Sequence, residues 1–191
     1  MIANAERVKY DAIWQVPGYA ENSPGDDLVA MFAELSGCKA GETLIDLGCG
    51  TGRAGARLAR DHGLKVTLFD LTDAGLEGEA RGLRFVEGCL WGSHLRLTRP
   101  TMGYDYGYCC DVLEHVPPEF TMLAVANIMA ACRVVFFSIA TVPDQFGAEI
   151  GEPLHLTVRP FVWWRDHLAE LGRLIECRDL LTSGVYYMAN R

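Results

Sequence analysis

Short apolar runs alternate along the chain with stretches in which apolar residues recur at helical spacing. Apolar runs that end at an acid or a turn predict strands, and we assign strands to residues 44–47, 64–70, 83–87, 104–110 and 133–140. Helical spacing predicts helices that begin near Pro24, Arg53, Glu119 and Pro160. Two last runs, residues 174–181 and 185–189, flank a Thr-Ser-Gly turn and predict a closing hairpin. This alternation predicts an α/β fold with a parallel sheet.

The chain before the first of these helices does not share the alternation. It carries Tyr10, Trp14 and Tyr19, and a Pro-Gly pair interrupts any helix there. Two interpretations stay open: the aromatic segment packs across the sheet, or it forms a lid over a ligand with Tyr10 as a contact. Ser23 is then expected to cap the next helix, with Asp26 as the acid of a capping box.

A glycine-rich turn follows the first predicted strand. Its sequence runs Asp46-Leu47-Gly48-Cys49-Gly50-Thr51-Gly52. Glycine leaves the backbone bare, so a ligand can approach closely at the start of the next helix. The spacing fits neither the G-x-G-x-x-G of dinucleotide folds nor the phosphate loop, which also needs a lysine. The acid at Asp46 suits a cationic or amine-bearing ligand, because a carboxylate repels phosphate.

A second acid stands at the tip of the second predicted strand. Asp70 lies about 20 residues beyond the glycine turn, where doubly wound folds place the acid that binds ribose hydroxyls. A carboxylate that accepts hydrogen bonds from two adjacent hydroxyls binds them strongly. The alternative is that Asp70 only caps the turn that follows it, because Asp73 is nearby.

Two motifs resemble those of one enzyme family. The D-x-G-x-G-x-G run resembles the first motif of the class I S-adenosylmethionine-dependent methyltransferases. The D-V-L-E-H-V run at residues 111–116 resembles the fourth motif of their small-substrate members. Residues 154–164 and the Asn-Ser-Pro-Gly at 22–25 are similar to small methyltransferase-domain proteins of bacteria and their phages.

The resemblance implies a fold. It is a doubly wound, Rossmann-like, mostly parallel seven-stranded sheet in the order 3-2-1-4-5-7-6, with the last strand antiparallel. A single methyltransferase domain is expected over residues 1–191. Within it, residues 1–39 would form the N-terminal lid and first helix, and residues 40–140 the cofactor-binding core. Residues 141–191 would supply the substrate-side loop, a helix and the closing hairpin.

The resemblance also implies a cofactor, S-adenosylmethionine. The implied contacts are Asp46, Gly48, Cys49, Gly50, Thr51, Gly52, Asp70, Leu71, Cys89, Leu90 and Asp111. Asp46 and the turn amides would hold the amino acid end, and Asp70 the ribose. Cys89 stands where the family usually has an acid for the adenine amino group, and a thiol is a poor acceptor. Leu90 or Trp91 would therefore pack against the adenine ring.

Methyl transfer from a sulfonium demands positioning above all. A hydroxyl or protonated-amine acceptor also needs a base, and His115 and His155 are the candidates for this catalytic role. The alternative for residues 111–115 is that they only begin the following helix. The long connection over residues 141–159 predicts a functional loop. Two interpretations of this loop stay open. Either Glu152 and His155 contact the acceptor, or the loop is only held in place by its apolar residues.

The amino-acid composition limits which classes of molecule the protein is expected to bind. The chain has 191 residues, 17 Lys plus Arg against 25 Asp plus Glu, and a net charge of −8. This balance argues against a large phosphate-neutralising surface, so we expect a small-molecule or nucleotide acceptor and no nucleic acid. Seven cysteines without metal-ligand spacing predict no metal site and a reducing cytoplasm. With no signal-type segment and no run of roughly 18 apolar residues, no membrane partner is expected.

Three alternatives to this function stay open. A nucleic-acid methyltransferase is disfavoured by the charge and by the lack of the N-P-P-[YF] signature of amino-group DNA methylases, because Asp-Val-Leu-Glu stands in its place. A non-catalytic S-adenosylmethionine-binding subunit would share the cofactor pocket. An NAD-type oxidoreductase on a similar fold is disfavoured by the glycine spacing.

Overall fold

The computed structural model describes residues 2–21, 23–95 and 100–190. Its strands are β1 (Thr43–Leu47), β2 (Lys65–Asp70), β3 (Arg84–Glu87), β4 (Tyr104–Cys110), β5 (Cys132–Ala140), β6 (Arg173–Asp179) and β7 (Ser183–Ala189). They form one sheet in the order β3-β2-β1-β4-β5-β7-β6. Strands β1 to β5 pair in parallel, and β7 runs antiparallel to β5 and β6. The predicted strand order and the antiparallel last strand are confirmed.

The helices are α1 (Ile2–Ile13), α2 (Pro24–Ser36), α3 (Arg53–His62), α4 (Pro118–Ala131) and α5 (Phe161–Leu171). The last four begin at the predicted positions or one residue away. Asn22, which belongs to one of the sequence likenesses, and the two ends of the predicted domain at residues 1 and 191 lie outside the described residues. Within the described ranges, no helix has both the length and the apolar character that crossing a bilayer demands.

The start of α2 corrects one expectation. Pro24 is the first residue of the helix, but in the described structure the side chain of Ser23 makes no capping hydrogen bond. The predicted capping box is therefore wrong. The carboxylate of Asp26 instead pairs with the guanidinium of Arg53 across 2.9 Å, which ties the start of α2 to the start of α3.

Helix α1 is not predicted by the apolar pattern. Val8 is 61% exposed in this helix, whereas Lys9 is only 8% exposed and pairs with Glu6. Because the apolar residue faces outward and the charged residue inward, the sequence lacks the apolar stripe by which a helix is recognised. The helix was therefore hidden in a segment that sequence reasoning could describe only as aromatic.

Both faces of the sheet are covered. One apolar cluster joins the sheet to α4 and α5 and includes Ile45, Ile128, Phe137 and Trp164. The other joins it to α2 and α3 and includes Phe32, Leu44, Leu58 and Phe136. Phe136 and Phe137 are neighbours in β5 and face opposite sides of the sheet, as the alternation of side chains along a strand requires. This double coverage explains the nearly unbroken apolar run over residues 133–140, because a strand buried on both faces needs apolar residues at almost every position.

The strand order creates the position of the site. Strand β1 pairs with β2 on one side and with β4 on the other, so the chain turns in opposite directions from the two sides of β1. In such sheets the connections that follow these two neighbouring strands run to opposite faces of the sheet. They leave a crevice between them at the carboxyl ends of the strands. The residues that follow β1, β2 and β4 all reach this edge.

Candidate functional site

A pocket lies over the carboxyl ends of β1, β2 and β4. The predicted site residues that line it are Asp46, Gly48, Cys49, Gly50, Thr51, Asp70, Leu71, Leu90, Asp111 and His115. Three other predicted residues, Gly52, Cys89 and His155, are not part of the lining. The fold thus brings these ten predicted residues together although they lie up to 69 positions apart in the chain, from Asp46 to His115.

The glycine turn has a backbone that explains its alternating pattern. Gly48, Gly50 and Gly52 have φ values of 71°, 51° and 70°, in the left-handed region that side chains disfavour. A Cβ atom at Gly52 would lie 2.6 Å from Cβ of Ala80, so this glycine lets the chain around Ala80 approach α3. Gly52 has a packing role, and its contact with a cofactor stays a prediction.

Asp70 organises the turns beside it. Its Oδ2 accepts a hydrogen bond from the N–H of Gly50 at 2.8 Å, and its Oδ1 accepts one from the N–H of Leu71 at 2.6 Å. Burial raises the pKa of Asp70 to about 6, although these N–H groups oppose the rise. The carboxylate caps its own turn, which was the alternative from sequence, and also faces the pocket.

Asp46 is a buried acid with spare hydrogen-bonding capacity. It is 4% exposed, and its Oδ2 has no hydrogen-bond partner among the described residues. Burial raises the pKa of Asp46 to about 7, and the neighbouring charge of Asp70 adds to the rise. A buried acceptor without a donor is costly. A ligand that carries an ammonium or another cationic group would relieve that cost.

The turn after β3 forms another wall. Leu90 and Trp91 line the pocket, and the indole of Trp91 stacks on Phe120 with a centroid distance of 5.8 Å. The side-chain amide of Asn127 donates to the carbonyl of Leu90 at 2.9 Å and holds the turn in place. Cys89 is buried, at 5% exposure, outside the lining. The wall is therefore apolar, which suits a flat ring.

An aromatic cover lies opposite the glycine turn. Tyr10, Trp14 and Tyr19 all line the pocket. The Trp14 indole comes within 3.0 Å of the position a Cβ atom would take at Gly50. Tyr19 packs edge-on against Trp14 and against Phe146, with centroid distances of 4.8 and 5.5 Å. The N-terminal aromatic residues thus join the glycine turn to the loop over residues 141–159.

The segment after β4 enters the pocket in part. Asp111 lines it with a φ of 61°, a strained value for a residue other than glycine. Glu114 is 0% exposed and lies behind the pocket wall, where its Oε1 accepts a hydrogen bond from the N–H of Ala140 at 2.6 Å. Burial and the charge of Asp111 raise the pKa of Glu114. The expected contact of Asp111 with a ligand fits this position.

The two candidate bases lie side by side. The rings of His115 and His155 meet edge to face with a centroid distance of 4.6 Å. Burial lowers the pKa of His115 to about 4, against a partial opposing effect of Asp111. His115 is therefore neutral at pH 7 and a weak base.

The loop over residues 141–159 is pinned at several points. Leu154 is 1% exposed, whereas Glu152 is exposed and outside the pocket lining. The carboxylate of Asp144 accepts the N–H groups of Gly147, Leu154 and His155. The apolar anchor that was one of the two interpretations is present, and the same anchoring holds His155 beside His115. The expected contact of Glu152 with an acceptor does not fit its position.

Sequence reasoning missed part of the lining. From the sequence, Trp14 and Tyr19 are only members of an aromatic segment, and Ser23 to Gly25 only begin a helix, whereas all of them line the pocket. The available signal was three aromatic residues at intervals of four and five positions just before a helix. That spacing does not by itself indicate which side of the sheet the segment covers.

Comparison with known proteins identifies the family to which this chain is similar. The chain matches a family model described as a methyltransferase domain over residues 19–180. Among solved structures, magnesium protoporphyrin IX methyltransferase from Synechocystis PCC 6803 with bound SAH is similar, with a TM-score of 0.65 at 19% identity. The alignment covers 98% of this chain and 94% of that one. The similarity at this identity is one of fold.

Two curated relatives are similar in sequence. The chain is 28% identical over 152 residues to the ubiquinone biosynthesis O-methyltransferase of Klebsiella pneumoniae, across 72% of this chain and 61% of that protein. It is 26% identical over 107 residues to (+)-O-methylkolavelool synthase of Herpetosiphon aurantiacus, across 53% of this chain and 38% of that protein. The chain thus spans less than two thirds of the length of either relative.

Proposed function

The chain belongs to the methyltransferase-domain family, and from that premise we propose that it transfers the methyl group of S-adenosylmethionine to a hydroxyl of a small-molecule acceptor. S-adenosylmethionine is the cofactor of this family. The observation that carries the proposal is a pocket in which Asp46, Asp70 and Asp111 meet over a bare glycine turn. The acids suit a ligand with a sulfonium, an ammonium and a pair of ribose hydroxyls.

Each part of the cofactor has a matching wall. The amino acid end fits beside Asp46, whose unpartnered Oδ2 would accept from the ammonium, and along the backbone of residues 48–51. The ribose fits at Asp70 and Leu71. The adenine fits against Leu90 and the backbone near Cys89. Asp111 would face the sulfonium, where its charge favours the cation.

The transfer itself needs few groups. When bound, S-adenosylmethionine would supply an activated methyl group to the acceptor oxygen and leave as neutral S-adenosylhomocysteine, and the hydroxyl proton would pass to a base. The donor is already activated, so holding both partners in line is the main demand on the protein. The aromatic cover formed by Tyr10, Trp14 and Tyr19 would exclude water and act as the lid.

The strength of the base that accepts the hydroxyl proton determines which hydroxyl groups can serve as the methyl acceptor. His115 and His155 are the candidate acceptors, and burial makes His115 a weak base because its pKa lies near 4. A weak base removes a proton effectively only from a comparatively acidic group. With His115 as the base, a phenolic or enolic hydroxyl suits the site better than an aliphatic alcohol.

A small acceptor is favoured over a nucleic acid or a nucleotide. Three carboxyl groups at the pocket repel phosphate, and the net charge of −8 opposes binding to a phosphate backbone. The two curated relatives have names that describe O-methylation. These points support a neutral or cationic small molecule as the acceptor.

The test is a turnover assay with an acceptor panel. The purified chain is incubated with S-adenosylmethionine and phenols, aliphatic alcohols, nucleotides, DNA or RNA in turn, and S-adenosylhomocysteine is quantified by mass spectrometry. We expect product with a member of the phenol set, and its loss in Asp70→Ala but not in the exposed-acid control Asp73→Ala. Turnover only with DNA or RNA would replace the proposal with the nucleic-acid alternative. Cofactor binding without turnover on any acceptor would indicate a non-catalytic subunit.

A further inference from the structure

Four side chains with metal-binding groups converge beside the pocket, and two of them, Asp111 and His115, belong to its lining. Asp111, Glu114, His115 and His155 each place one potential ligand atom within 4.8 Å of all the others. The first three come from the segment after β4, and His155 comes from the loop over residues 141–159. The cysteine spacing could not indicate this cluster, because it contains no cysteine.

Two of these groups have buried ligand atoms with spare capacity. Oε2 of Glu114 and Nδ1 of His115 have no hydrogen-bond partner within the described part of the chain. Glu114 is 0% exposed, and its other oxygen accepts a hydrogen bond from the N–H of Ala140, which fixes the carboxylate in place. A buried polar atom without a partner is costly unless something binds it.

His155 is oriented as a ligating histidine usually is. Its Nδ1 lies 2.7 Å from the carbonyl oxygen of Val142. A carbonyl can only accept, so Nδ1 carries the proton and Nε2 keeps its lone pair. Histidines that bind metals commonly donate their other ring N–H to a backbone carbonyl in this way. The ring is therefore fixed with its free nitrogen available.

The donor set and its size indicate the class of ion. Bonds from Zn²⁺ to histidine nitrogen and carboxylate oxygen are about 2.0–2.2 Å long, so the ligand atoms of a tetrahedral site lie about 3.4 Å apart. The four ligand atoms here lie within 4.8 Å of one another, so the side chains would close in on the ion as it binds. Imidazole ligands favour first-row transition metals, whereas Mg²⁺ and Ca²⁺ prefer oxygen alone. Two adjacent carboxylates also favour a dication between them.

We propose that Asp111, Glu114, His115 and His155 bind one divalent transition-metal ion of the Zn²⁺ type at the acceptor end of the pocket. Binding of the metal ion does not depend on the proposed methyl transfer, but a catalytic role for the ion rests on that proposed function. The ion would take the acceptor oxygen as a further ligand and make its proton easier to lose. His115 and His155 would then hold the ion and would not act as bases.

Calorimetry with Zn²⁺ tests this site. Chelator-stripped, full-length chain is titrated with ZnCl₂ and, separately, with MgCl₂. We expect one Zn²⁺ per chain, with affinity reduced at least tenfold in His155→Ala and Glu114→Gln. The matched control His62→Ala removes an imidazole from the end of α3 and should bind as wild type. His155 lies on a loop, so its variant keeps the test valid if Glu114→Gln does not fold.

Cobalt substitution separates this cluster from the cysteines. Bound Co²⁺ should give visible absorption without the charge-transfer band of a thiolate ligand. No saturable Zn²⁺ binding, equal binding by His155→Ala and wild type, or equal affinity for Mg²⁺ would overturn the proposal. S-adenosylhomocysteine is titrated separately without metal. If S-adenosylhomocysteine binds and Zn²⁺ does not, only the metal site is contradicted. If Zn²⁺ binds and S-adenosylhomocysteine does not, only the proposed function is contradicted.

Discussion

The backbone N–H of Gly50 donates a hydrogen bond to Oδ2 of Asp70 across 2.8 Å. This bond joins the turn after β1 to the tip of β2, 20 positions further along the chain. The same carboxylate therefore shapes the glycine turn and faces the pocket. Changes at Asp70 should act on both the turn and the proposed ribose contact.

Replacing Asp70 should weaken cofactor binding strongly. Asp70→Ala removes a charged acceptor, and we expect S-adenosylhomocysteine to bind less tightly by about 1.5–3 kcal/mol. Asp70→Asn keeps an acceptor for the Gly50 N–H but loses the charge, so its loss should be smaller. Calorimetry measures both, with the exposed Asp73→Ala as control. Equal affinity in wild type and Asp70→Ala would remove the ribose assignment.

A methyl group at Gly50 should separate backbone strain from loss of binding. Gly50→Ala and Gly37→Ala both place alanine at a positive φ, 51° and 57°, and each should lower the free energy of unfolding by about 1–2 kcal/mol. Only Gly50 faces Trp14 in the pocket, whereas Gly37 has open space around it. Urea denaturation should show similar losses, and calorimetry should show weaker S-adenosylhomocysteine binding in Gly50→Ala alone. Weaker binding in both would indicate a general loss of structure.

The buried Asp46 should make stability fall as pH rises. Its pKa is raised from 3.8 to about 7 in the folded chain, so between these values the folded state holds a proton that the unfolded state has lost. The free energy of unfolding should therefore decrease from pH 4 to pH 7, by about 1.4 kcal/mol for each unit of pKa difference. Asp46→Asn should match wild type near pH 4 and exceed its stability at pH 8.

Urea denaturation at several pH values checks this pH dependence. Asp70 and Glu114, whose pKa values are also raised by burial, should leave a residual slope in the same direction in Asp46→Asn. An unchanged slope in that variant would show that Asp46 is ionised in the folded chain. S-adenosylhomocysteine should bind wild type more tightly at pH 8 than at pH 5.5, because its ammonium favours the ionised carboxylate.

Trp14 should slow the release of the cofactor. The indole covers Gly50, so Trp14→Ala opens the pocket on that side. We expect S-adenosylhomocysteine to dissociate roughly tenfold faster, which corresponds to about 1.4 kcal/mol and matches the scale of one aromatic contact. Stopped-flow displacement measures the rate. Trp163→Ala, which changes a half-buried tryptophan outside the pocket lining, should keep the wild-type rate; equal rates in wild type and Trp14→Ala would contradict a lid.

Local patterns were sufficient for most of the sheet and for the glycine turn. The run over residues 133–140 predicts a strand, and it is almost wholly apolar because the sheet is covered on both faces. The alternating glycines follow from positive φ at each of those positions. The order of the strands came from the family resemblance. Periodicity alone does not indicate which strands are neighbours.

Contacts between distant segments were beyond sequence reasoning. Helix α1 was hidden because it buries Lys9 and exposes Val8. The approach of His155 to His115 depends on a loop that is pinned by Leu154 and by Asp144, and no spacing rule describes such a loop. The sequence named both histidines as candidates, but it could not show that they meet beside two carboxylates.

The most direct test of the proposed cofactor pocket is an isothermal titration of S-adenosylhomocysteine into the purified chain. The proposed pocket predicts saturable binding of one molecule per chain, weakened in Asp70→Ala and unchanged in Asp73→Ala. Absence of saturable binding by the folded wild-type chain would contradict it.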